Sequence, residues 1–138
     1  MPQEKKPIIA VDHREPDEIC DLLEAMGAEL ELKQLELGDY QLSNRLVVER
    51  KTRQDFEASI IDGRLFSQVA DLSSSIREAP QAPPPSSSSA PQMRIQRVVL
   101  IVEGDSPSDS RLSKAALLGA YSSIISDFGC AIFFTRSP

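Results

Sequence analysis

The sequence predicts an α/β domain with helices flanking a mixed β-sheet. Three observations carry that expectation. Apolar runs of strand length at 8–11, 98–102 and 131–134 alternate with segments whose apolar residues recur every three or four positions. Two further strand-like runs meet at a Ser-Asn turn. And 138 residues leave room for one core, not two.

Ile8-Ile9-Ala10-Val11 reads as a buried strand ending in Asp12. Pro16 suits a first helical position, and Ile19, Leu22, Leu23 and Met26 line one face of a helix that Gly27 stops. Leu30 and Leu32 alternate with Glu29, Glu31 and Lys33, the period of a half-exposed strand. The runs 38–42 and 46–51 flank Ser43-Asn44-Arg45 and predict a hairpin. A helix over 52–61 follows, with Thr52 as N-cap and Asp55 at its third position. A second helix carries Leu65, Val69, Leu72 and Ile76 on one face. From 80 to 91 the chain holds five of its ten prolines and no large apolar side chain, which predicts a disordered surface loop. Residues 98–102 are apolar throughout and predict a central strand covered on both faces. A helix over 112–128, closed by Gly129, and a buried strand at 131–134 complete the order.

Composition narrows the function classes. Apolar residues make up 41% and charged residues 26%, the mixture of a soluble globular chain. No apolar run approaches the ~20 residues of a membrane span, and the first six residues lack the apolar stretch of a secretory signal. Cys20 and Cys130 lie far apart and read as buried thiols in a reducing, intracellular setting. A single histidine, His13, argues against a His-based zinc site or a Ser-His-Asp triad. The net charge of −6 opposes strong binding of nucleic acid by the chain as a whole. Its distribution is uneven: residues 1–36 hold ten acids and four bases, whereas 45–77 hold six bases and five acids.

The hairpin carries the chemistry. A three-residue loop sets Leu42 opposite Leu46 and therefore Asp39 opposite Glu49, with Cβ atoms ~5 Å apart. Carboxylates so placed repel unless a divalent cation lies between them, and oxygen donors favour Mg²⁺ or Mn²⁺. Lys51 projects from the same face as Glu49. A two-residue turn breaks this geometry, and an exposed strand also carries such residues simply as solvated groups. Both alternatives stay open on spacing alone.

The longer string is more specific. Gly38-Asp39-Tyr40, Val48-Glu49-Arg50-Lys51-x-x-x-Asp55 and Ser59 through Gln68 resemble the nuclease domain of the XPF/Hef family, archaeal members above all. The likeness reaches upstream to Val11-Asp12-x-Arg14-Glu15 and downstream to Ile101-Val102-Glu103-Gly104 and the stretch 119–129. The resemblance implies a restriction-endonuclease-like fold and a metal-dependent, structure-specific endonuclease acting on branched DNA such as flaps, forks and junctions. It implies Mg²⁺ or Mn²⁺ held by Asp39 and Glu49, with Lys51 at the scissile phosphate or attacking water. Arg50 and Asp55 belong to the same catalytic motif, and Asp12, Arg14, Arg64 and Gln68 are supporting or DNA-facing positions. The family's continuation, a dimerisation helix and a helix-hairpin-helix DNA-binding domain, is absent from residues 1–138. Homodimeric or heterodimeric partnership is therefore expected of a full-length protein and weaker here. Leu118 stands where relatives often carry Arg. The rival from another class is a non-catalytic nuclease-fold subunit that serves as a dimerisation or scaffold partner. Its usual mark, loss of the acidic and lysine positions, is missing. A nucleotide-binding domain lacks its glycine motif.

Overall fold

The hairpin has the three-residue loop. Tyr40 pairs with Val48 and Gln41 with Val47, and the Leu42 N–H donates to the Leu46 carbonyl at 3.0 Å. This geometry comes from a computed structural model that describes residues 3–77 and 95–138. The proline-rich segment 80–91 lies outside the described residues.

Ten elements follow in order: β1 (Ile8–Asp12), α1 (Asp17–Ala25), β2 (Glu29–Lys33), β3 (Tyr40–Gln41), β4 (Leu46–Thr52), α2 (Arg53–Ile61), α3 (Arg64–Arg77), β5 (Arg97–Glu103), α4 (Lys114–Ser126) and β6 (Ala131–Thr135). The strands form one sheet in the order β2-β1-β3-β4-β5-β6. The short β3 is antiparallel to both of its neighbours, and every other pairing is parallel. The ends of β1, β4 and β5 therefore meet at one end of the sheet, where α/β folds place their ligand sites.

The two faces of the sheet are covered unequally. On one, Val47, Val98, Leu100 and Val102 pack under Phe56 of α2, Leu65, Val69 and Leu72 of α3, and Ala120 and Ile124 of α4. Phe56, Leu65 and Ile124 are fully enclosed, each contributing about 1.5–3 kcal/mol by burial. The other face carries a smaller cluster of Val11, Tyr40 and Val48, with Ile19, Cys20 and Leu23 of α1 leaning on it.

This imbalance corrects two expectations. β5 is not covered on both faces: Val98, Leu100 and Val102 are buried, whereas Val99 and Ile101 are only half-buried, because α1 covers the β1 side of that face. β6 is not a buried strand but the sheet edge, with Phe133 58% and Phe134 51% exposed. Smaller corrections concern Pro16, which is the N-cap of α1 rather than its first helical residue, and Cys20, which is half-buried rather than enclosed. The cap of α2 stands as expected, with Thr52 Oγ1 accepting from the Asp55 N–H at 3.2 Å.

Candidate active site

Gly38 begins the site. Its φ of +72° lies in the left-handed region, and a Cβ there would collide with Val47 Cγ1 and sit 3.1 Å from the Val48 carbonyl. Only glycine lets the chain turn this closely against β4. The next residue, Asp39, is thereby held to both neighbouring strands. Its N–H donates to Val48 O at 2.9 Å, and its carbonyl accepts from the Asp12 N–H at 2.9 Å. Its side-chain Oδ2 accepts from the Arg50 N–H at 2.8 Å.

The register then decides which side chains meet. Val11 lies opposite Tyr40, and both belong to the α1-side cluster, so the adjacent Asp12 and Asp39 turn to the other face. The β3–β4 ladder stops at the Tyr40–Val48 pair, with the Asp39 N–H also turned to Val48 O; Asp39 nonetheless lies close enough for its charge to act on Glu49, which shares a face of β4 with Val47 and Lys51. Asp12, Asp39 and Glu49 therefore form a row of carboxylates across three strands, with Lys51 one step beyond. Burial, and then the Asp39 charge, push Glu49 up to about 7. Burial also raises Asp39, against the pull of the Arg50 N–H. Asp12 is held low by its hydrogen bonds from Arg14, at 3.0 Å to Nε and 2.7 Å to Nη2.

Arg50 points the other way. Side chains alternate along a strand, so it leaves on the α1 side and donates from Nε to Glu103 at 2.7 Å. It also lies 3.6 Å from Glu15, and Glu15 accepts from the Tyr40 hydroxyl at 2.6 Å. Tyr40, Glu15, Arg50 and Glu103 make one connected network behind the site. Burial raises Glu15, and burial together with Glu15 raises the Tyr40 hydroxyl. Arg50 supports the carboxylate row through its backbone N–H, while its side chain ties β4 to β5 and to the turn after β1.

The remaining expected residues make no hydrogen bond or ion pair with the carboxylate row among the described residues. Asp55 is exposed on the first turn of α2. Arg64 pairs with Asp62 at 2.8 Å on the surface. Gln68 Oε1 is buried and has no hydrogen-bond donor among the described residues. Reading the sequence gave Glu15 and Tyr40 no role; period-two alternation from Asp39 and Glu49 was the signal that separates Tyr40 and Arg50 from the carboxylates. Glu103, in the stretch that resembles the family, has a structural role as the partner of Arg50, on the face opposite the row.

The donor set fits a hard divalent cation. Asp12 Oδ1 is shielded from solvent and accepts no hydrogen bond among the described residues, although the His13 ring lies 3.1 Å away. Free carboxylate oxygens beside Asp39 and Glu49 are the ligand type that Mg²⁺ and Mn²⁺ prefer. No group of three or more acidic, histidine or cysteine side chains among the described residues is gathered tightly enough to enclose an ion. Two carboxylates with the rest of the shell left to water and phosphate match the habit of Mg²⁺.

These features define an α/β nuclease-type domain whose acidic row is built from the end of β1, the residue before β3 and the middle of β4. XPF from Aeropyrum pernix, solved in complex with DNA, superposes with a TM-score of 0.77 at 32% identity, covering 96% of this chain and 58% of that one. The ERCC4 domain matches residues 11–138, and the chain belongs to that family. A Methanocaldococcus jannaschii protein named as an ATP-dependent RNA helicase, MJ1505, is 46% identical over 134 residues, which are 96% of this chain and 14% of that protein. The 3'-flap repair endonuclease Xpf of Saccharolobus solfataricus is 27% identical over 131 residues, 94% of this chain and 48% of its own length. The chain thus spans about half or less of these two relatives. The expected XPF/Hef kinship and nuclease fold are both observed. Among the described residues no helix is long and apolar enough to cross a membrane.

Proposed function

We propose that this chain is the catalytic module of a metal-dependent endonuclease that cuts branched DNA during repair or fork processing. The observation that carries the reading is the row of Asp12, Asp39 and Glu49 on one face, with Lys51 beside it. Asp39 and Glu49 would hold Mg²⁺ or Mn²⁺. The chemistry such an ion supplies when bound is charge neutralisation at the phosphate and a more acidic attacking water. Lys51 places a positive charge where negative charge grows on the phosphoryl oxygens. Asp39 is kept in place by the Arg50 N–H, and Arg14 anchors Asp12. The names of two relatives, a 3'-flap repair endonuclease and an XPF complexed with DNA, support DNA, and flapped DNA first, as the substrate.

The net charge of −6 leaves little general attraction for DNA, so affinity comes from a few phosphate contacts and from partners. The surface of α4 and β6 suits such a partner. Leu118, Ile125, Phe133 and Phe134 are all more than half exposed there, an apolar edge that a second nuclease-fold chain, identical or paralogous, would cover. Cleavage of 3'-flap, fork and plain duplex DNA with Mg²⁺, Mn²⁺ or chelator tests the reading. Metal-dependent cutting confined to branched substrates is the expected result. Cutting unaffected by chelator, or none on any DNA by the chain with its partner present, overturns it.

A further inference from the structure

Glu57 is a carboxylate that the acidic row does not use. It sits on α2, 3% exposed, and both of its oxygens are occupied. Oε1 accepts from Ser110 Oγ at 2.5 Å; Oε2 accepts from Ser106 Oγ at 2.8 Å and from Arg53 Nε at 3.3 Å. Burial pushes this carboxyl up, but the bonds from Ser110, Ser106 and Arg53 together hold it below its ordinary value. Burying a carboxylate is costly unless it is paired and hydrogen-bonded, and Arg53 with the two exposed serines supplies those partners.

They belong to the loop 104–113, between β5 and α4. Gly104 N–H is tied to Thr135 O at 2.8 Å, and Ser113 caps α4 by accepting from the Ala116 N–H. Between those ends, the bonds that tie the loop to another element go to Glu57 among the described residues; the bond from Ser110 N–H to Pro107 O stays inside the loop. The loop leaves β5 directly after Glu103, which pairs in register with Thr52. It therefore rises from the same end of the sheet as Asp12, Glu49 and Lys51, where ligands of α/β folds sit. Arg111, exposed, lines a cavity of about 320 Å³ with Glu57, Gln54 and Pro107.

We infer that Glu57 is a positioning residue that pins the loop 104–113 to α2 so that Arg111 meets the sugar-phosphate backbone of the DNA. The inference rests on the nuclease reading for its ligand, but the pinning stands on the geometry alone. The experiment has two arms, each run on the wild type, Glu57→Ala and the double variant Ser106→Ala/Ser110→Ala. The serine pair removes the two loop bonds from exposed positions and keeps the Arg53 bond, so it remains informative if Glu57→Ala fails to fold.

In the first arm, hydrogen exchange of residues 105–112 accelerates about tenfold in both variants while the core strands are unchanged. In the second, on forked DNA with Mg²⁺, KM rises by roughly three- to tenfold with kcat within about twofold. Arg111→Ala reproduces the KM change without the exchange change, and lowers the slope of log affinity against log salt by about one. Unchanged exchange in both variants overturns the anchor. Normal KM in a variant whose loop exchanges fast overturns the DNA contact. If the wild type with its partner present cuts no DNA, it is the nuclease reading that fails, and the exchange arm still decides Glu57.

Discussion

Glu49 and Arg50 are neighbours in β4, yet they inhabit different chemistry. Glu49 joins Asp12 and Asp39 in a row where like charges crowd and nothing neutralises them fully; burial and Asp39 push its carboxyl up to about 7. Arg50 on the reverse face meets two acids, 2.7 Å to Glu103 and 3.6 Å to Glu15, and its own charge is stabilised by them. Among the described residues Glu49 on one face has no ion-pair partner within reach, whereas Arg50 on the other has two. The first is what a site for a cation and a phosphate needs. The second is what keeps a strand end from shifting under that repulsion. The same short motif therefore contains both the proposed reactive groups and their support, separated only by the alternation of a β-strand.

The comparison breaks most readily on activity. Asp39→Asn, Glu49→Gln and Lys51→Ala should each lower cleavage of forked DNA by about 10²–10³-fold or more, with unfolding curves that show an intact fold. A variant retaining near wild-type rates would remove that residue from the reactive face.

Stability should report the reverse face. Arg50→Ala strands Glu103 and Glu15 without their cation, which should cost on the order of 2–3 kcal/mol in urea unfolding, less than for a fully enclosed pair because some solvent reaches both groups. Pairing Arg50→Met with Glu103→Leu should recover most of that loss. If Arg50→Ala is as stable as the wild type, the network is not a support.

The two faces should also differ in pH response. A carboxyl whose folded value is raised from 4.5 to about 7 keeps its proton more tightly when folded. Its contribution to stability is greatest below about pH 4.5 and falls as pH rises through 7. Without metal, Glu49→Gln should therefore melt a few degrees above the wild type at pH 8, corresponding to about 1–2 kcal/mol. At pH 4.5 that difference should vanish. An equal difference at both pH values would mean that Glu49 does not titrate in this way. The smallest effect is expected at the surface: Arg64→Ala removes an exposed pair with Asp62 and should change stability by less than about 0.5 kcal/mol.

The legibility of these features followed their range in sequence. The hairpin loop, the nearness of Asp39 to Glu49 and the cap of Thr52 on α2 all rest on residues within about a dozen positions, and spacing alone was enough to suggest them. The place of β6 was not legible, because Ala131-Ile132-Phe133-Phe134 is as apolar as a central strand and its edge position depends on which strands pair. The network of Arg50 was equally hidden. Its acids come from the turn after β1 and the end of β5, 35 and 53 positions away in sequence. Glu57 carried no pattern at all: one acid among many on a helix, distinguished only once Ser106 and Ser110 were seen to reach it.

The parallel contact of β4 with β5 has a consequence for how the chain folds. Leu46 pairs with Arg97, about 50 positions later, and the helices α2 and α3 lie within that span. All residues of the carboxylate row belong to the part before residue 78, but Val98, Leu100, Val102 and Ile124, which fill the space beneath α2 and α3, belong to the part after residue 94. Closing so long a loop is slow compared with forming the hairpin. During synthesis the acidic row is made first and stays without its floor until β5 arrives, and with it Glu103, the 2.7 Å partner of Arg50. The packing beneath the acidic row is then completed late, so a nascent or truncated chain carries the whole motif without the support that β5 and α4 give it.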